Sequence, residues 1–390
     1  MIDAVFIVVG VLAVAGGIAV WLAGISRPAV RTRENLRLTG TVLFAFGVLM
    51  LVAGWLMTGS DTNRGEALKT GGLAAGSVVA LYALWLNDRR RRVDEERQDI
   101  ERQRQDLESR RAEHDRARAA DERFLRAVEL LGNDTDQVRV GAMHALAGLA
   151  RSRPGYTQDV LDVICSYLRR PFDHPRYAAV RAEDRAPGSP EELNEADRWL
   201  QVRLTAQRLI ADLLPVVGTE GAQAFDLDLH GATLEYFDVS HRVIGQLRAR
   251  ELNLYESNSF HHCEIRRAAW FTGSRSWGRL FMHDMTFCER SWFSRFTSHD
   301  LADFTRTVFR GDTKFANSTW DKQVSFAEAV FDRNVDFTAA TFHDDLDLHV
   351  AGGLTGRTIG MHVSLSHEHH LPPGWNVDPA RDEDLGLVRS

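Results

Sequence analysis

One periodicity constrains the fold of this 390-residue chain more than any other feature of its sequence. Between Leu229 and Leu348 an apolar residue recurs first every five residues and then at alternating steps of five and six. Of 23 such positions 21 are apolar, where the 44% hydrophobic content of the chain would give about ten. These positions, called centre positions below, are Leu229, Leu234, Val239, Ile244, Ala249, Leu254, Phe260, Ile265, Phe271, Ser276, Met282, Phe287, Phe293, Ser298, Phe304, Phe309, Phe315, Trp320, Phe326, Phe331, Phe337, Phe342 and Leu348.

The residues two positions before the later centres are mostly small or branched. Side chains two apart lie on the same side of an extended backbone, so both would face inward. A helix does not explain the pattern, because the inward positions would surround it and leave no polar face. The sequence therefore predicts a right-handed four-sided β-solenoid over 223–350, with about 22 residues in each coil. The small or branched residues are Ala302, Thr307, Thr313, Ser318, Val324, Ala329, Val335, Ala340 and Leu346.

Three stretches carry the repeat most clearly: ADFTRTVF, VSFAEAVF and VDFTAATF. They resemble the pentapeptide-repeat family, whose unit has Leu or Phe at its centre and a small residue two before it. The resemblance covers about a third of the chain, 223–350. The preceding sequences GNDTDQVRVGAMHALAGLA and VRLTAQRLIADLL are similar to the helical module placed before such repeats in membrane-bound bacterial members.

Two kinds of departure from the family pattern occur in the first half of the repeat. Serines stand at two centres, Ser276 and Ser298, and we expect Trp277 and Phe296 to take their places by a local slip of register. In addition, Arg242 and Asn258 stand at small-residue sites.

Repetition every coil predicts that side chains of successive coils align in columns. Stacked rings in these columns would be the main stabilising feature of the domain. The exposed strand edges at its two ends need covers, for which we expect the helix 192–214 and the tail 351–390. The predicted columns are Phe271, Phe293, Phe315 and Phe337, and Ile265, Phe287, Phe309 and Phe331.

Three apolar runs precede the repeat, at 4–24, 39–59 and 71–86, and none contains a charged residue. The first two are long enough to cross a bilayer as helices, and the third can cross with little tilt. Together they predict a transmembrane anchor over 1–87, followed by a charged stalk at 88–120 and a helical module at 121–222. The solenoid at 223–350 and a C-terminal cap or tail at 351–390 complete the predicted multi-domain membrane protein.

The charge of the connecting loops predicts the orientation of the anchor. Four arginines stand between the first two runs (Arg27, Arg31, Arg33 and Arg37), and 89–92 is an unbroken arginine run after the third. Basic loops stay in the cytoplasm, so the N-terminus lies outside and 88–390 lies in the cytoplasm. A bacterial plasma membrane fits, and three cysteines are too few for a disulfide framework, which agrees with a reducing compartment.

Glycines recur along the second and third runs. Gly40, Gly47 and Gly54 are seven apart, and Gly72 and Gly76 form a small-xxx-small pair. Small residues let helices approach closely in lipid, so these five are candidate packing residues, within the chain or in a homo-oligomer.

The charged stalk is predicted to be a long solvated helix. Residues 88–126 hold 13 Arg and 12 Asp or Glu without Gly or Pro, and many opposite charges lie three or four apart. Val93, Ile100 and Leu107 are seven apart, but the other apolar heptad position is polar, which is too little for a stable two-stranded coiled coil. A spacer and an oligomerisation stalk both remain open.

One surface of the solenoid is a candidate partner-binding site. Trp270 and Trp292 lie one predicted coil apart, each directly before an inward centre, so they should stack on the outside. Exposed Trp with Arg around it is the composition of an interaction hot spot. The alternative is a purely structural ladder with Arg over Trp and Arg267 over Glu289. The candidate arginines are Arg266, Arg267, Arg275, Arg279, Arg290 and Arg295.

The sequence predicts neither an enzyme nor a cofactor or metal site. The histidine-rich tail, with His362, His367, His369 and His370, has no paired cysteines or second cluster beside it. No phosphate-binding glycine loop, nucleophile elbow or spaced carboxylate pair occurs.

Three functions follow from these features. The first is a membrane-tethered cytoplasmic scaffold that binds an unknown protein through the solenoid surface, with lipid as its other partner. The second is an oligomeric membrane effector or pore gated by the rod, although no span carries an ionisable residue. The third, implied by the resemblance, is a DNA mimic that binds a type II topoisomerase. Residues 223–350 carry 19 acidic and 14 basic residues, which is weak mimicry, and the net charge of -7 argues against nucleic acid as a partner.

Overall fold

The computed structural model describes residues 2–23, 25, 30–58, 64–181, 188–379 and 384–389. They form two compact units, Met1–Asp115 and Arg116–Ser390. Eight helices and the strands of a β-solenoid make up this described part, and the predicted fold class is confirmed.

The first unit contains α1 (Ile2–Ala23), α2 (Val30–Met57) and the first part of α3 (Arg64–Leu131). Within the described residues three stretches are long and apolar enough to cross a membrane: Ala4–Ala23, Leu36–Leu56 and Lys69–Asp88. These agree with the three predicted spans, because long uncharged runs satisfy their backbone polar groups only as helices in lipid.

Glycines bring α1 and α2 into close contact. A Cβ atom added to Gly47 would lie 2.6 Å from the backbone N of Val14, and one added to Gly17 would lie 2.6 Å from the backbone N of Phe44. Gly40 and Gly54 meet α1 at similarly short distances, 2.8 Å from Gly17 O and 2.9 Å from the side chain of Ile7. The glycine stripe of α2 therefore lies against α1.

The pair Gly72 and Gly76 on α3 lies elsewhere. A Cβ atom at either position would meet no described atom within 4 Å, whereas one at Gly71 would lie 2.9 Å from Leu49 O of α2. Of these three glycines of α3, Gly71 packs closely on α2, and the predicted pair faces open space among the described residues.

Helix α3 continues without a break from its apolar part through the charged segment. Ion pairs join Asp99 to Arg102 at 3.3 Å and Arg104 to Glu108 at 3.0 Å. Both pairs are mostly exposed, so each stabilises the helix by only about 0.2–0.5 kcal/mol. Ile100 and Leu107 are 65% and 54% exposed, so the heptad-spaced apolar residues find no partner within the described chain.

The helical module of the second unit packs around its own apolar core. After the end of α3 come α4 (Asp136–Ser152), a 3-10 turn (Pro154–Tyr156), α5 (Thr157–Leu168), α6 (Pro175–Val180) and α7 (Pro190–Leu213). Helix α7 starts with a reciprocal capping box between Ser189 and Glu192. Met143, Leu161 and Ile210 are completely buried between α4, α5 and α7.

The solenoid consists of short strands that stack in parallel into four ladders. Two longer strands, Phe225–Asp228 and Val243–Arg248, belong to ladders 1 and 2 together. Ladder 1 continues with Glu264–Ile265, Thr286–Phe287, Val308–Phe309 and Val330–Phe331. Ladder 2 continues with Ala269–Trp270, Ser291–Trp292, Thr313–Lys314, Val335–Asp336 and Gly356–Arg357.

Ladder 3 consists of Thr233–Glu235, Asn253–Tyr255, Arg275–Ser276, Thr297–Ser298, Thr319–Trp320, Thr341–Phe342 and His362–Ser364. Ladder 4 consists of Asn258–Ser259, Leu280–Phe281, Ala302–Asp303, Val324–Ser325, Leu346–Asp347 and His369–His370. The seven parallel strands of ladder 3 make about seven coils, more than the stretch 223–350 alone provides.

The corners explain why the steps alternate between five and six residues. In the later coils each five-residue corner is a hydrogen-bonded turn, in which the N–H of the small residue donates to the preceding centre carbonyl, as from Thr307 to Phe304 at 3.1 Å. The residue two after the centre has a positive φ, for example 55° at Arg306 and 57° at Asn317. The six-residue corners that start at Phe287, Phe309 and Phe331 have no such residue.

Ring stacking fills the interior as predicted. Phe271, Phe293, Phe315 and Phe337 stack with centroids 4.8–5.2 Å apart. The rings of Phe287, Phe309 and Phe331 stack in the same way at 5.1 and 4.7 Å. Neighbouring columns meet edge to face, as at Phe293 and Phe304 with an interplanar angle of 88°. Both arrangements are favoured by the ring quadrupole. All 23 centre positions are buried except Phe331, which is half-buried.

The expected slip of register at the two serine centres does not occur. Ser276 and Ser298 keep their places in ladder 3 and are fully buried, and Ser298 pairs with Trp320. Their hydroxyls donate to the carbonyls two residues on, at 2.7 and 2.9 Å, which satisfies them inside the core. Phe296 compensates for the lost volume from the small-residue position two before Ser298.

Trp277 does not replace Ser276, so that expectation was wrong. It lies partly exposed on the outside and stacks on His299 at 4.0 Å. Asn258, in contrast, is buried at a small-residue site because its amide has two backbone partners: it accepts from Phe237 N at 3.0 Å and donates to Tyr255 O at 2.9 Å.

Three helices seal the first coil, where only 192–214 had been expected. Gln158 of α5 accepts from Asp226 N at 2.8 Å and donates to Asp226 O at 3.0 Å, which closes the strand edge. Arg203 of α7 donates to Thr233 O at 2.9 Å. Beside α6 the buried Glu235 accepts from Tyr177 at 2.7 Å.

At the other end the coil continues beyond the predicted boundary at 350. The strands Gly356–Arg357, His362–Ser364 and His369–His370 pair in parallel with the coil before them. An antiparallel hairpin of Asn376–Pro379 and Leu385–Arg389 then closes ladder 3, since its second strand runs antiparallel to His362–Ser364. The cap is therefore this hairpin, and 351–370 belongs to the solenoid.

Candidate functional site

The two tryptophans singled out by the sequence lie side by side on the outside of ladder 2. Trp270 and Trp292 are register partners in adjacent parallel strands. Their ring centroids are 6.5 Å apart and the planes meet at 79°. Because strand side chains alternate, the flanking Phe271 and Phe293 point inward, which fixes both tryptophans on the outer face.

Three cations lie over these rings. Arg250 stands 5.6 Å from the centroid of Trp270, and Arg290 and Lys314 stand 5.8 and 5.0 Å from that of Trp292. We call these five residues the tryptophan surface. No cation of this surface forms an ion pair with any other described residue.

Of the six arginines predicted for this surface, only Arg290 contacts a tryptophan. Arg266 donates to Glu264 at 2.9 Å and to Ala222 O at 2.8 Å, and Arg267 pairs with Asp226 instead of lying over Glu289. The other three, Arg275, Arg279 and Arg295, lie on ladder 3 or at corners.

Arg250 and Lys314 were missed because they lie far from the tryptophans in sequence. Lys314 is the register partner of Trp292 on the following coil, so the coil length could have identified it. Arg250 follows Arg248, the register partner of Trp270, on the preceding coil.

The polar end of Trp270 is not used by the fold. Trp270 Nε1 is buried and has no acceptor within the described part of the chain, whereas the core Trp320 donates to Ser318 at 2.8 Å. An indole N–H without a partner costs roughly 1–3 kcal/mol. Trp270 therefore contributes less to the stability of the fold than its size would allow.

A second polar cluster lies at the corner between ladders 4 and 1. His241, His261, His262, His283 and Asp284 come from three successive coils, and we call them the histidine corner. Burial, and next the neighbouring imidazoles, lower the pKa of His261. Arg306, which donates two hydrogen bonds to Asp284 at 2.7 and 2.8 Å, holds the pKa of that carboxyl well below its usual range.

The histidines of the tail, which the sequence brought to attention, are dispersed. His367 lies near Ser364 and Asp344, and His370 lies 3.8 Å from Asp347. Within the described residues they do not contribute to a group of three closely spaced ligands.

Two of the three cysteines have buried thiols of low reactivity. Burial raises the pKa of the Cys165 and Cys263 thiols to about 12, so both are protonated at neutral pH. A protonated, buried thiol is a poor nucleophile.

Comparison with known proteins identifies the repeat. A family model described as pentapeptide repeats (9 copies) matches residues 304–351. No curated protein and no solved structure matched the chain. The pentapeptide-repeat solenoid is a structural, non-enzymatic fold class. The matched segment lies within the uninterrupted ladders that run from Phe225 to His370, preceded by apolar helices. The solenoid of this chain therefore contains pentapeptide repeats at 304–351, and it follows three candidate membrane-spanning helices in the sequence.

Proposed function

We propose that the protein is a membrane-anchored scaffold, not an enzyme, whose solenoid binds an acidic segment of a protein partner in the cytoplasm of a bacterium. The observation that carries the proposal is the tryptophan surface, where two outward rings and three cations without ion-pair partners among the described residues share one ladder. Trp and Arg dominate interface hot spots because they combine large apolar area with directed polar contacts.

The charge of the surface favours an acidic partner. Within the described chain Arg250, Arg290 and Lys314 lie over ring faces and form no ion pair, so a carboxylate arriving from another protein would not have to displace an existing one. Such pairing speeds association and depends on salt. The same three cations argue against a DNA mimic, which needs an acidic surface in place of phosphates.

The anchor supports the location of the scaffold. Three stretches are long and apolar enough to cross a bilayer, and the arginines of the first loop and of 89–92 favour the cytoplasm for the adjacent ends. The solenoid would then lie on the cytoplasmic side of the plasma membrane.

Capture from native membranes tests the scaffold function. The whole chain is compared with a Trp270→Ala, Trp292→Ala double variant, and Trp277→Ala serves as the matched control because it removes a partly exposed tryptophan from another ladder. We expect a partner that the wild type and the control retain, that the double variant loses at least about tenfold, and that high salt releases. Equal recovery by all three proteins would contradict the proposal.

A homo-oligomeric effector is the second candidate, and it has an observation of its own. Gly72 and Gly76 face open space on α3, and Ile100 and Leu107 lie exposed on the same helix. These are the contacts that a second copy of the chain would cover in the membrane and beyond it. The mass of single particles in nanodiscs distinguishes an oligomer from a monomer. The Gly72→Leu, Gly76→Leu double variant is measured beside the wild type, and Gly141→Leu is the control.

A further inference from the structure

We propose that His241, His261 and His262 form a binding site for a divalent transition-metal ion, with zinc as the ion to be tested. One ring nitrogen of each of the three residues lies within 4.8 Å of the others. Zinc binds imidazole nitrogen at about 2.0–2.1 Å and accepts three protein ligands plus a solvent molecule. The three nitrogens therefore need only small side-chain rotations to reach one ion.

The backbone of the solenoid brings these ligands together. His241 N donates to His261 O at 3.0 Å, and His262 N donates to His283 O at 3.0 Å, so ladder hydrogen bonds hold three successive coils in register. His241 and His262 both have a left-handed backbone, with φ of 59° and 57°, and therefore occupy equivalent corner positions one coil apart. Their rings stack with centroids 4.6 Å apart.

The side chain of His261 completes the group from the neighbouring position. Its Nδ1 lies 3.0 Å from Nδ1 of His262. His241 and His262 are exposed and His261 is half-buried, so an ion could enter from solvent and keep a water ligand. An all-imidazole set without a carboxylate favours zinc, copper or nickel over magnesium or calcium.

A second group, His262, His283 and Asp284, shares one ligand with the first but is the weaker candidate. Asp284 already accepts two hydrogen bonds from Arg306 and one contact from His283 at 2.8 Å. A cation there would have to displace the guanidinium. Cys263 is excluded as a ligand because its thiol points inward and donates to Val239 O at 2.7 Å.

The consequence for the protein is a clamp between two of the first coils. A metal ion held by residues of both coils binds the folded state more tightly than the unfolded chain, so it stabilises the folded state once its free concentration exceeds the dissociation constant. The proposal is independent of the scaffold function, because the tryptophan surface lies on a different ladder.

Zinc titration of the whole chain in detergent tests the site, with purification through a tag that contains no histidine. We expect one ion per chain in isothermal titration calorimetry. His241→Asn and His262→Asn should each weaken zinc binding at least about tenfold, and asparagine tolerates the left-handed backbone, so both variants should keep the fold. Circular dichroism of each variant checks this.

Two matched variants make the assignment specific. His367→Asn and His370→Asn, both in the tail, should change the zinc affinity by less than about twofold, because neither residue belongs to the histidine corner. Cobalt(II) in place of zinc should give ligand-field absorption without a thiolate charge-transfer band. Unchanged binding by His241→Asn, loss of binding by His367→Asn, or the absence of binding by the wild type at micromolar zinc would each overturn the proposal.

Discussion

The first coils of the solenoid and the last ones are built on the same ladders but filled differently. From Leu229 to Leu254 the six centres are aliphatic, whereas from Phe304 to Phe342 all eight are aromatic. Both sets are buried, apart from the half-buried Phe331. The family model matches only the second set, at 304–351. The parallel ladder therefore requires an apolar residue of suitable volume at each centre, and the aromatic repeat is one of several ways to supply it.

The corners differ between the same two regions. The later coils have a positive φ only in their five-residue corners, as at Glu328 and Ala339. The first coils have it at nearly every corner, including Gly231, Tyr236 and His241. Shorter steps therefore require more left-handed residues. The first coils are also tighter, which means that each contains fewer residues. Thr233 pairs with Asn253 there, and these two residues are closer in sequence than the partners Thr319 and Thr341 of the later coils.

The largest expected effect comes from the aromatic core. Phe315 stacks between Phe293 and Phe337 and meets Phe304 edge to face, so Phe315→Ala should cost about 3–5 kcal/mol of the free energy of unfolding. Phe315→Leu keeps an apolar centre and should lose only about 0.5–1.5 kcal/mol. Denaturant unfolding of the full chain in detergent measures both.

Leu254→Ala provides the comparison in the first coils, and Phe331→Ala provides the half-buried control. We expect Leu254→Ala to cost about 2–5 kcal/mol and Phe331→Ala clearly less than Phe315→Ala. If Phe315→Leu cost as much as Phe315→Ala, ring stacking rather than apolar volume would hold the later coils.

Replacing a residue by glycine should raise the free energy of unfolding at a left-handed corner and lower it at a small-residue site. Ala339 has a φ of 55°, which costs an L-residue roughly 1–2 kcal/mol, so Ala339→Gly should stabilise the domain by about 1 kcal/mol after the extra chain entropy is subtracted. Ala329, buried before Phe331, has no such backbone, and Ala329→Gly should destabilise by about 1 kcal/mol. Thermal unfolding of the two variants measures both changes in stability. If the two changes had the same sign, the assignment of the corners would be contradicted.

The smallest expected effect concerns the ion pair between Asp284 and Arg306, which links the histidine corner to the next coil. Arg306, assisted by His283 and His262, lowers the pKa of Asp284 in the folded state. The pair is thus stabilising above the unfolded carboxyl pKa of about 4, and the contribution is lost as pH falls below that value toward the folded pKa. Asp284 is partly exposed, so we expect about 0.5–1 kcal/mol. Asp284→Asn should show a smaller loss of melting temperature between pH 5 and pH 3 than the wild type does.

The buried core of the solenoid could be predicted from the sequence, because the inward positions follow from strand alternation and from a regular spacing of the centres. The regular spacing located the centres, except that a slip of register was wrongly expected at Ser276 and Ser298, and the ring columns followed from the coil length. The spacing of the three apolar runs likewise predicted the candidate spans.

Neighbours on the outside were harder to predict, because they depend on which coil lies next to which. His241 stacks on His262 of the following coil, and Asp226 meets Arg267, which lies two coils later along the chain. Such contacts require the register of the tighter first coils, which the repeat of the later coils does not give. The sequence suggested Arg267 and Arg275 beside the tryptophans because they are near in sequence, whereas register on the ladder brings Arg250 and Lys314 there.

The central claim is that one continuous prism includes both the degenerate first coils and the consensus later ones. Disulfide formation between outward register partners tests it directly, since adjacent parallel strands place such residues within bonding distance. In a Cys288→Ser background, Thr233→Cys with Asn253→Cys samples ladder 3 in the first coils, and Asp303→Cys with Ser325→Cys samples ladder 4 in the later coils. Mass spectrometry of tryptic peptides should find a disulfide in both pairs, and none between Asn253→Cys and Glu264→Cys on the opposite ladder. A disulfide in the later pair alone would contradict the account, because the first coils would then not share the prism.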